Sequence, residues 1–140
     1  RESRAIMTPA ELFDNFSYLS DWEDKYRYLI ELGDALPPFD PADKTDAHKV
    51  DGCMSQVWFT FRVQDGRYYF NATSDAHIVR GLEAVLLTLT NGLTADQIRA
   101  LDLTAAFQKL GLAEHLSPTR RNGFFAMIGR IHDIINGEQL

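Results

Sequence analysis

The chain has 140 residues, of which 45% are hydrophobic and 24% are charged, and its net charge at pH 7 is −6. This length suits one domain with a sizeable core, while the acidic balance argues against nucleic acid or an anionic membrane surface as a partner. A single cysteine excludes a disulfide framework and a cysteine-rich zinc site, and it favours a reducing, cytoplasmic compartment. No apolar run is long enough for a membrane span.

The first part of the chain is predicted to be helical. Residues 1–140 are expected to form a single domain, in which residues 1–7 are flexible or a processing remnant because the chain begins with Arg1. A short helix begins after Thr8, where a proline and a glutamate complete a capping box. A second helix is predicted from about Ser20 to Leu32 by its apolar spacing, with Gly33 as its C-cap.

A β-hairpin is predicted after a polar loop that covers residues 39–51. Apolar and polar residues alternate from Val57 to Val63, and Asp65-Gly66 is a strong signal for a two-residue turn. This turn pairs Val63 with Tyr68, and it likewise pairs Phe61 with Phe70 and Phe59 with Ala72. All of these residues then share one apolar face, so the register and the pattern agree.

The remaining chain is predicted to be mostly helical. Ser74 or Asp75 caps a helix that runs roughly from Ala76 to Thr90 and ends at Asn91-Gly92. Three more helices follow, beginning near Thr94, Leu103 and Ser117. Because two strands alone are marginal, a third strand is expected, and the segment from His48 to Val50 is the candidate. The element order predicts an α+β fold, with a small antiparallel sheet covered by helices.

Cys53 is the strongest candidate for chemistry, because it follows Gly52 at the point where the loop gives way to a strand. A thiolate is a nucleophile that needs controlled access, and glycine permits a positive φ and the close approach of another molecule. Three other interpretations remain open: an inert cysteine in a binding module, a cysteine hydrolase in which His115 activates the thiol, and an iron–sulfur scaffold. The scaffold interpretation is disfavoured because cluster ligation needs several thiolates.

The segment Gly52-Cys53-Met54-Ser55-Gln56-Val57-Trp58 resembles the signature of the SufE family of sulfur acceptors. Three further motifs resemble the same family in the same order along the chain. They are Trp22 to Tyr26 with Ile30 to Gly33, Ser74-Asp75-Ala76 with Ile78 to Leu82, and His115 to Gly123. The resemblance implies a SufE/IscU-like α+β fold, with a three-stranded antiparallel sheet packed against several helices.

The resemblance also implies a function in iron–sulfur cluster assembly. Cys53 would accept persulfide sulfur from a pyridoxal-phosphate-dependent, SufS-like cysteine desulfurase, stimulate that enzyme and deliver the sulfur to a SufBCD-like scaffold complex. The protein would then be no enzyme by itself but half of a two-component sulfurtransferase, without a cofactor of its own. A sister-branch, CsdE-like acceptor that serves a different desulfurase is the closest alternative, and a homodimer is left open.

Several other residues are assigned supporting or partner-binding roles by this resemblance. Asp75 matches an acidic position near the cysteine loop, although a helix N-cap explains it equally well. Arg80 and Arg121 match family arginines that either steady a thiolate or persulfide or orient a carboxylate within the fold. Gly52, Ser55 and Gln56 belong to the loop itself. The four histidines, His48, His77, His115 and His132, show no metal-binding spacing, so no metal site is expected.

Overall fold

A computed structural model of the chain describes residues 7–137. The expectation of a flexible start or processing remnant therefore concerns mostly residues 1–6, which lie outside the described residues. Met7 is partly buried against the hydrophobic core, and its sulfur atom accepts a hydrogen bond of 3.8 Å from the Tyr28 hydroxyl.

The two N-terminal helices are α1 (Pro9–Ser17) and α2 (Trp22–Asp34). The predicted capping box of α1 is confirmed, since the Thr8 hydroxyl and the Glu11 carboxylate each accept the other residue's backbone N–H. The prediction that Gly33 caps α2 is wrong, because Gly33 lies inside the helix and Ala35 is the C-cap.

Gly33 instead lets α2 approach the next long helix, α3 (His77–Thr90). A Cβ atom on Gly33 would lie 2.7 Å from the backbone nitrogen of Gly81 in α3. A Cβ atom on Gly81 would overlap the carbonyl oxygen of Leu29 in α2. The two glycines therefore allow backbone-to-backbone contact between the helices, which any larger side chain would prevent.

The sheet has three antiparallel strands in the order β1-β2-β3, which are β1 (Val57–Gln64), β2 (Arg67–Ser74) and β3 (Leu93–Thr94). The predicted hairpin register is confirmed at all three pairs, and Asp65 and Gly66 both adopt positive φ in the turn. The third strand was expected in the wrong place, because β3 follows α3 and pairs with β2. The segment from His48 to Val50 contributes only an isolated bridge between Lys49 and Trp58.

The other helices are α4 (Ala95–Ala100), α5 (Leu103–Lys109) and α6 (Pro118–Ile135). Their predicted starts are confirmed by side-chain caps, which come from Thr94, Asp102 and Ser117. The polar loop before the hairpin contains two short 3-10 turns, Pro41–Asp43 and Asp46–His48, and a third, Ala113–His115, precedes α6.

Helix α3 is the centre of the core, since eleven of its fourteen residues are buried and it contacts α1, α2, α6 and β2. The sheet buries one face around Phe59 and Phe70, whereas Phe61 and Val63 near the hairpin turn are about half exposed. Within residues 7–137, no helix combines the length and the apolar character needed to span a membrane. The α+β architecture thus matches the predicted class and leaves the cysteine loop at the end of the sheet away from the turn.

Candidate functional site

Cys53 lies in a loop whose two ends are anchored in the core by the buried side chains of Val50 and Val57. The cysteine is half-buried, and its thiol donates a long hydrogen bond of 3.7 Å to the carbonyl oxygen of Gly123 in α6. The sulfur therefore faces α6 and the interior, although the loop that carries it runs along the surface.

A small cavity lies beside the sulfur, and its water-accessible volume is about 10 Å³. This volume is roughly that of one water-sized sphere. Most of the cavity wall is apolar, and it is shared by the cysteine loop, α3 and α6. Its lining residues from the two helices are Val79, Leu82, Thr119, Arg120, Gly123, Phe124 and Met127. The sulfur thus has a sheltered space for about one additional small atom.

The backbone on either side of the cysteine turns sharply. Gly52 has φ +91°, which confirms the prediction that this glycine supplies a positive φ before the thiol. Met54 on the other side is 83% exposed. Both residues that flank the half-buried cysteine are therefore at the surface.

Two side chains hold the second half of the loop. The Asp75 carboxylate accepts a 3.0 Å hydrogen bond from the backbone N–H of Gln56, and the Asp75 N–H donates to the Gln56 carbonyl oxygen. The Arg120 guanidinium donates a 2.7 Å hydrogen bond to the Ser55 hydroxyl. The interpretation of Asp75 as a helix cap is therefore wrong: α3 begins after Ala76 without a side-chain cap, and Asp75 binds the cysteine loop instead.

The segment before the cysteine is held by Arg130 of α6. Its guanidinium donates hydrogen bonds of 2.8 Å to the Lys49 carbonyl oxygen and 2.9 Å to the Ala47 carbonyl oxygen. Sequence patterns gave no indication of this role, because Arg130 is 81 and 83 residues away from the two carbonyl groups that it binds. Both flanks of the loop are thus fixed by arginines from the same helix.

The two arginines singled out from the sequence are found elsewhere. Arg121 donates to the carbonyl oxygens of Ala113 and Leu116, so it orders the segment that leads into α6. Arg80 donates to the Ser74 carbonyl oxygen and forms an ion pair of 3.6 Å with Asp34 in α2. Neither of them lines the cavity beside Cys53, whereas Arg120, which the sequence analysis did not select, does.

The surroundings of the thiol favour its neutral form. Burial raises the pKa of Cys53, and the negative charges that Glu83 and Asp51 can carry raise it further. Burial also raises the pKa of Glu83 to about 9, although the positive charge of Arg80 opposes that shift. The resting site therefore holds a neutral thiol near a neutral carboxyl group.

The hydrolase interpretation finds no support in the contacts around the thiol. The His115 ring stacks on Trp22, with ring centroids 5.1 Å apart, while the cysteine sulfur bonds the Gly123 carbonyl oxygen. Among residues 7–137 there is also no cluster of three or more His, Cys, Asp or Glu side chains that could hold a metal ion. The thiol is therefore a half-buried group whose described polar contact is a backbone carbonyl oxygen.

Comparison with known proteins agrees with these features. Residues 10–135 match the family model SufE, described as an Fe-S metabolism associated domain. An uncharacterized SufE-like protein of Rhizobium meliloti (strain 1021) is 44% identical over 131 residues, covering 91% of this chain and 94% of the relative. An uncharacterized SufE-like protein of Rhizobium etli is 45% identical over 127 residues, covering 88% and 86%.

A solved structure shows the same fold at low sequence identity. It is the solution structure of a hypothetical protein from Thermus thermophilus, with a TM-score of 0.74 and 20% identity. The match covers 93% of this chain and 96% of that chain. Together with the family model, which matches nearly the whole chain, these relatives show that the chain belongs to the SufE family.

Proposed function

We propose that this protein accepts sulfur on Cys53 from the persulfide of a cysteine desulfurase and carries it to an iron–sulfur assembly scaffold. The observation that supports this best is the position of the sulfur in a SufE-family chain. The only cysteine of the sequence points from a surface loop into an apolar cavity with little free space. An inert core cysteine would not need a surface loop on both sides of it.

The transfer step is a displacement at sulfur. The Cys53 thiolate attacks the outer sulfur atom of the partner's persulfide, a new S–S bond forms at Cys53, and the S–S bond of the partner breaks. The partner's cysteine leaves as a thiolate and takes up the proton that Cys53 has lost. No external oxidant or reductant is needed, because the sulfane sulfur keeps its oxidation state.

The resting structure suits a protected acceptor. Since burial and nearby acidic groups raise the pKa of Cys53, the thiol is a poor nucleophile while it occupies the cavity. Movement of the loop toward a partner would relieve the burial, and that change favours the thiolate. Activation would then be coupled to docking, with the exposed Met54 in position to make the first contact.

The proposed partners are a SufS-like desulfurase, which supplies the sulfur, and a SufBCD-like scaffold, which receives it. The carbon–sulfur cleavage belongs to the pyridoxal phosphate of the desulfurase, so this chain acts as an accessory protein. The sister-branch, CsdE-like role differs only in the identity of the desulfurase. Assaying the two desulfurases in parallel therefore distinguishes the two branches.

The test is stimulation of desulfurase turnover by the wild-type protein and by the Cys53→Ser variant. We expect the wild type to accelerate sulfide or alanine release, and the variant to reduce that stimulation to background because it lacks the acceptor atom. Calorimetric titration should give similar affinities for both proteins, since serine preserves the shape of the loop.

Full stimulation by Cys53→Ser would contradict the proposal, because sulfur acceptance could not then explain the acceleration. Loss of binding together with stimulation would instead identify the thiol as a docking element. A variant with a substitution outside the cysteine loop, Gly129→Ala, is a suitable control: apart from its own stretch of helix, no atom lies within 4 Å of the added Cβ, and the substitution should leave stimulation unchanged.

A further inference from the structure

Glu83 in α3 is an unusual residue for the centre of a hydrophobic core. Its side chain is fully buried, with 0% exposure, and neither of its carboxyl oxygens has a hydrogen-bond partner within residues 7–137. Buried polar groups are nearly always hydrogen-bonded, because an unsatisfied one loses its contacts with water and gains nothing in exchange. A fully buried carboxyl group without a partner therefore requires an explanation.

Glu83 lies next to the wall of the cysteine cavity, although it does not itself line that cavity. It follows Leu82 and lies one helical turn after Val79, and both of these residues line the cavity beside Cys53. Helical side chains tilt toward the N-terminus of their helix, so the Glu83 side chain extends toward the turn that contains Val79. Glu83 is also near enough to Cys53 for an electrostatic interaction, since a negative charge on Glu83 would raise the pKa of the thiol.

Within residues 7–137, no cation forms an ion pair with Glu83. Arg80 on its own helix is engaged with Asp34 of α2, the Ser74 carbonyl oxygen at the end of β2, and His77. From α6, Arg120 lines the same cavity but donates to Ser55. The cysteine loop contributes Asp51, whose charge has the wrong sign. Burial therefore keeps the carboxyl protonated at neutral pH, and its O–H is a donor without an acceptor.

We propose that Glu83 holds the sulfur cargo, its carboxyl group donating a hydrogen bond to the terminal sulfur atom of a Cys53 persulfide housed in the cavity. This inference rests on the proposed function, since it concerns the loaded state of the same site. A persulfide is a stronger acid than a thiol, so its terminal sulfur is anionic at neutral pH. A neutral O–H that donates to this anion forms a charge-assisted hydrogen bond, and the donor that is idle in the sulfur-free protein gains its partner on loading.

Retention of sulfur by matched variants tests this role. The wild type, Glu83→Gln and Glu83→Met are loaded with inorganic polysulfide and desalted, and the loss of one sulfur atom to added reductant is followed by intact mass. The amide of glutamine keeps an N–H donor, whereas methionine has a similar size and none. We expect Glu83→Gln to retain sulfur about as long as the wild type, and Glu83→Met to lose it about tenfold faster.

The same variants separate a cargo-holding role from a structural one. Removal of an unsatisfied buried carboxyl should leave the sulfur-free Glu83→Met protein at least as resistant to thermal unfolding as the wild type. Faster sulfur loss in a protein that is not destabilised supports the inference. Equal lifetimes of the persulfide in the wild type and Glu83→Met would overturn it, and so would equally fast loss from Glu83→Gln and Glu83→Met. Failure of the wild type to take up any sulfur would instead overturn the proposed function.

Discussion

The two ends of strand β1 are built in different ways. At the end near Gln64, the chain turns through Asp65-Gly66 and pairs directly with its own continuation, so neighbouring residues supply the contacts. At the end near Val57, the cysteine loop depends on groups that are distant in sequence. Asp75 and Arg120 bind the loop itself, and Arg130 binds the segment before it.

This difference puts the proposed sulfur acceptor at the end of β1 that is held less by backbone hydrogen bonds. The hairpin is secured by a ladder of backbone hydrogen bonds, whereas the described contacts of the loop include a few individual side-chain bonds that a docking protein can replace. The hairpin end also exposes its polar groups to water, while the loop end contains a buried carboxyl group without a partner among the described residues. A sulfur carrier needs both properties at one end: a loop that can open and an interior that can hold its cargo.

The largest expected effect at the loop end is a pH-dependent gain in stability on Glu83→Gln. The folded protein holds the Glu83 proton up to a pKa of about 9, against 4.5 for the ordinary group, so unfolding releases a proton within this window. The pH-dependent loss of folding stability that Glu83 causes is therefore absent below about pH 4.5 and grows until about pH 9. The free energy of unfolding of the variant, compared with that of the wild type, should be about 3 kcal/mol larger at pH 7 than at pH 4.

Urea unfolding of the wild type and the variant between pH 4 and pH 9 measures this difference. If the free energies of unfolding of the two proteins differ by a constant amount over the whole pH range, Glu83 does not change its protonation on unfolding and the prediction is wrong. A variant with glutamine in place of the exposed Glu23 at the start of α2 serves as a control for the same change of side chain outside the core.

Two adjacent arginines of α6 have different roles: Arg120 binds the cysteine loop, whereas Arg121 binds the segment that leads into α6. Arg120→Ala removes the bond to Ser55, so we expect native Cys53 to be alkylated several-fold faster. Arg121→Ala removes bonds to the Ala113 and Leu116 carbonyl oxygens, so we expect a lower free energy of unfolding, by about 1–3 kcal/mol.

Iodoacetamide alkylation below the unfolding transition and urea denaturation measure the two effects. Native alkylation of Cys53 should be unchanged in Arg121→Ala once the populations of unfolded protein are matched. The opposite pattern, with faster alkylation only in Arg121→Ala, would restore the role first assigned to that residue from the sequence.

The smallest effect is expected at the other end of β1. Phe61 is about half exposed, so Phe61→Thr should change the free energy of unfolding by less than about 1 kcal/mol and leave sulfur uptake unchanged. Phe59→Thr on the same face is the matched control, since Phe59 is buried and its truncation should cost about 3 kcal/mol. Impaired sulfur uptake in a stable Phe61→Thr protein would show that the two ends of the strand are coupled.

The sequence predicted those features of the fold that are determined by residues close together in the chain. The hairpin register follows from alternation and a two-residue turn, and the capping boxes at Thr8 and Thr94 follow from a spacing of three residues. The third strand escaped prediction because β3 has only two residues, which is too short for a pattern. Gly33 resembled a C-cap because its close contact with Gly81 exists only in the folded chain.

The sequence indicated the cysteine of the site but not the side chains that hold its loop. Cys53 stood out as the only cysteine of the sequence and Gly52 by its position before it, and the φ of Gly52 has the expected sign. Arg120 and Arg121 are adjacent, so only the folded helix shows which of them faces the loop. Glu83 did leave a signal in the sequence, as a single acidic residue within the apolar run of α3, where a charge has no ordinary reason to be.

The most direct test of the central claim is the intact mass of the protein after incubation with a cysteine desulfurase and L-cysteine. The account predicts a gain of one sulfur atom that maps to Cys53, disappears on reduction and is absent from Cys53→Ser. No gain in the presence of an active SufS-like or sister-branch desulfurase, although Cys53 is open to alkylation, would contradict the assignment of this chain as a sulfur acceptor.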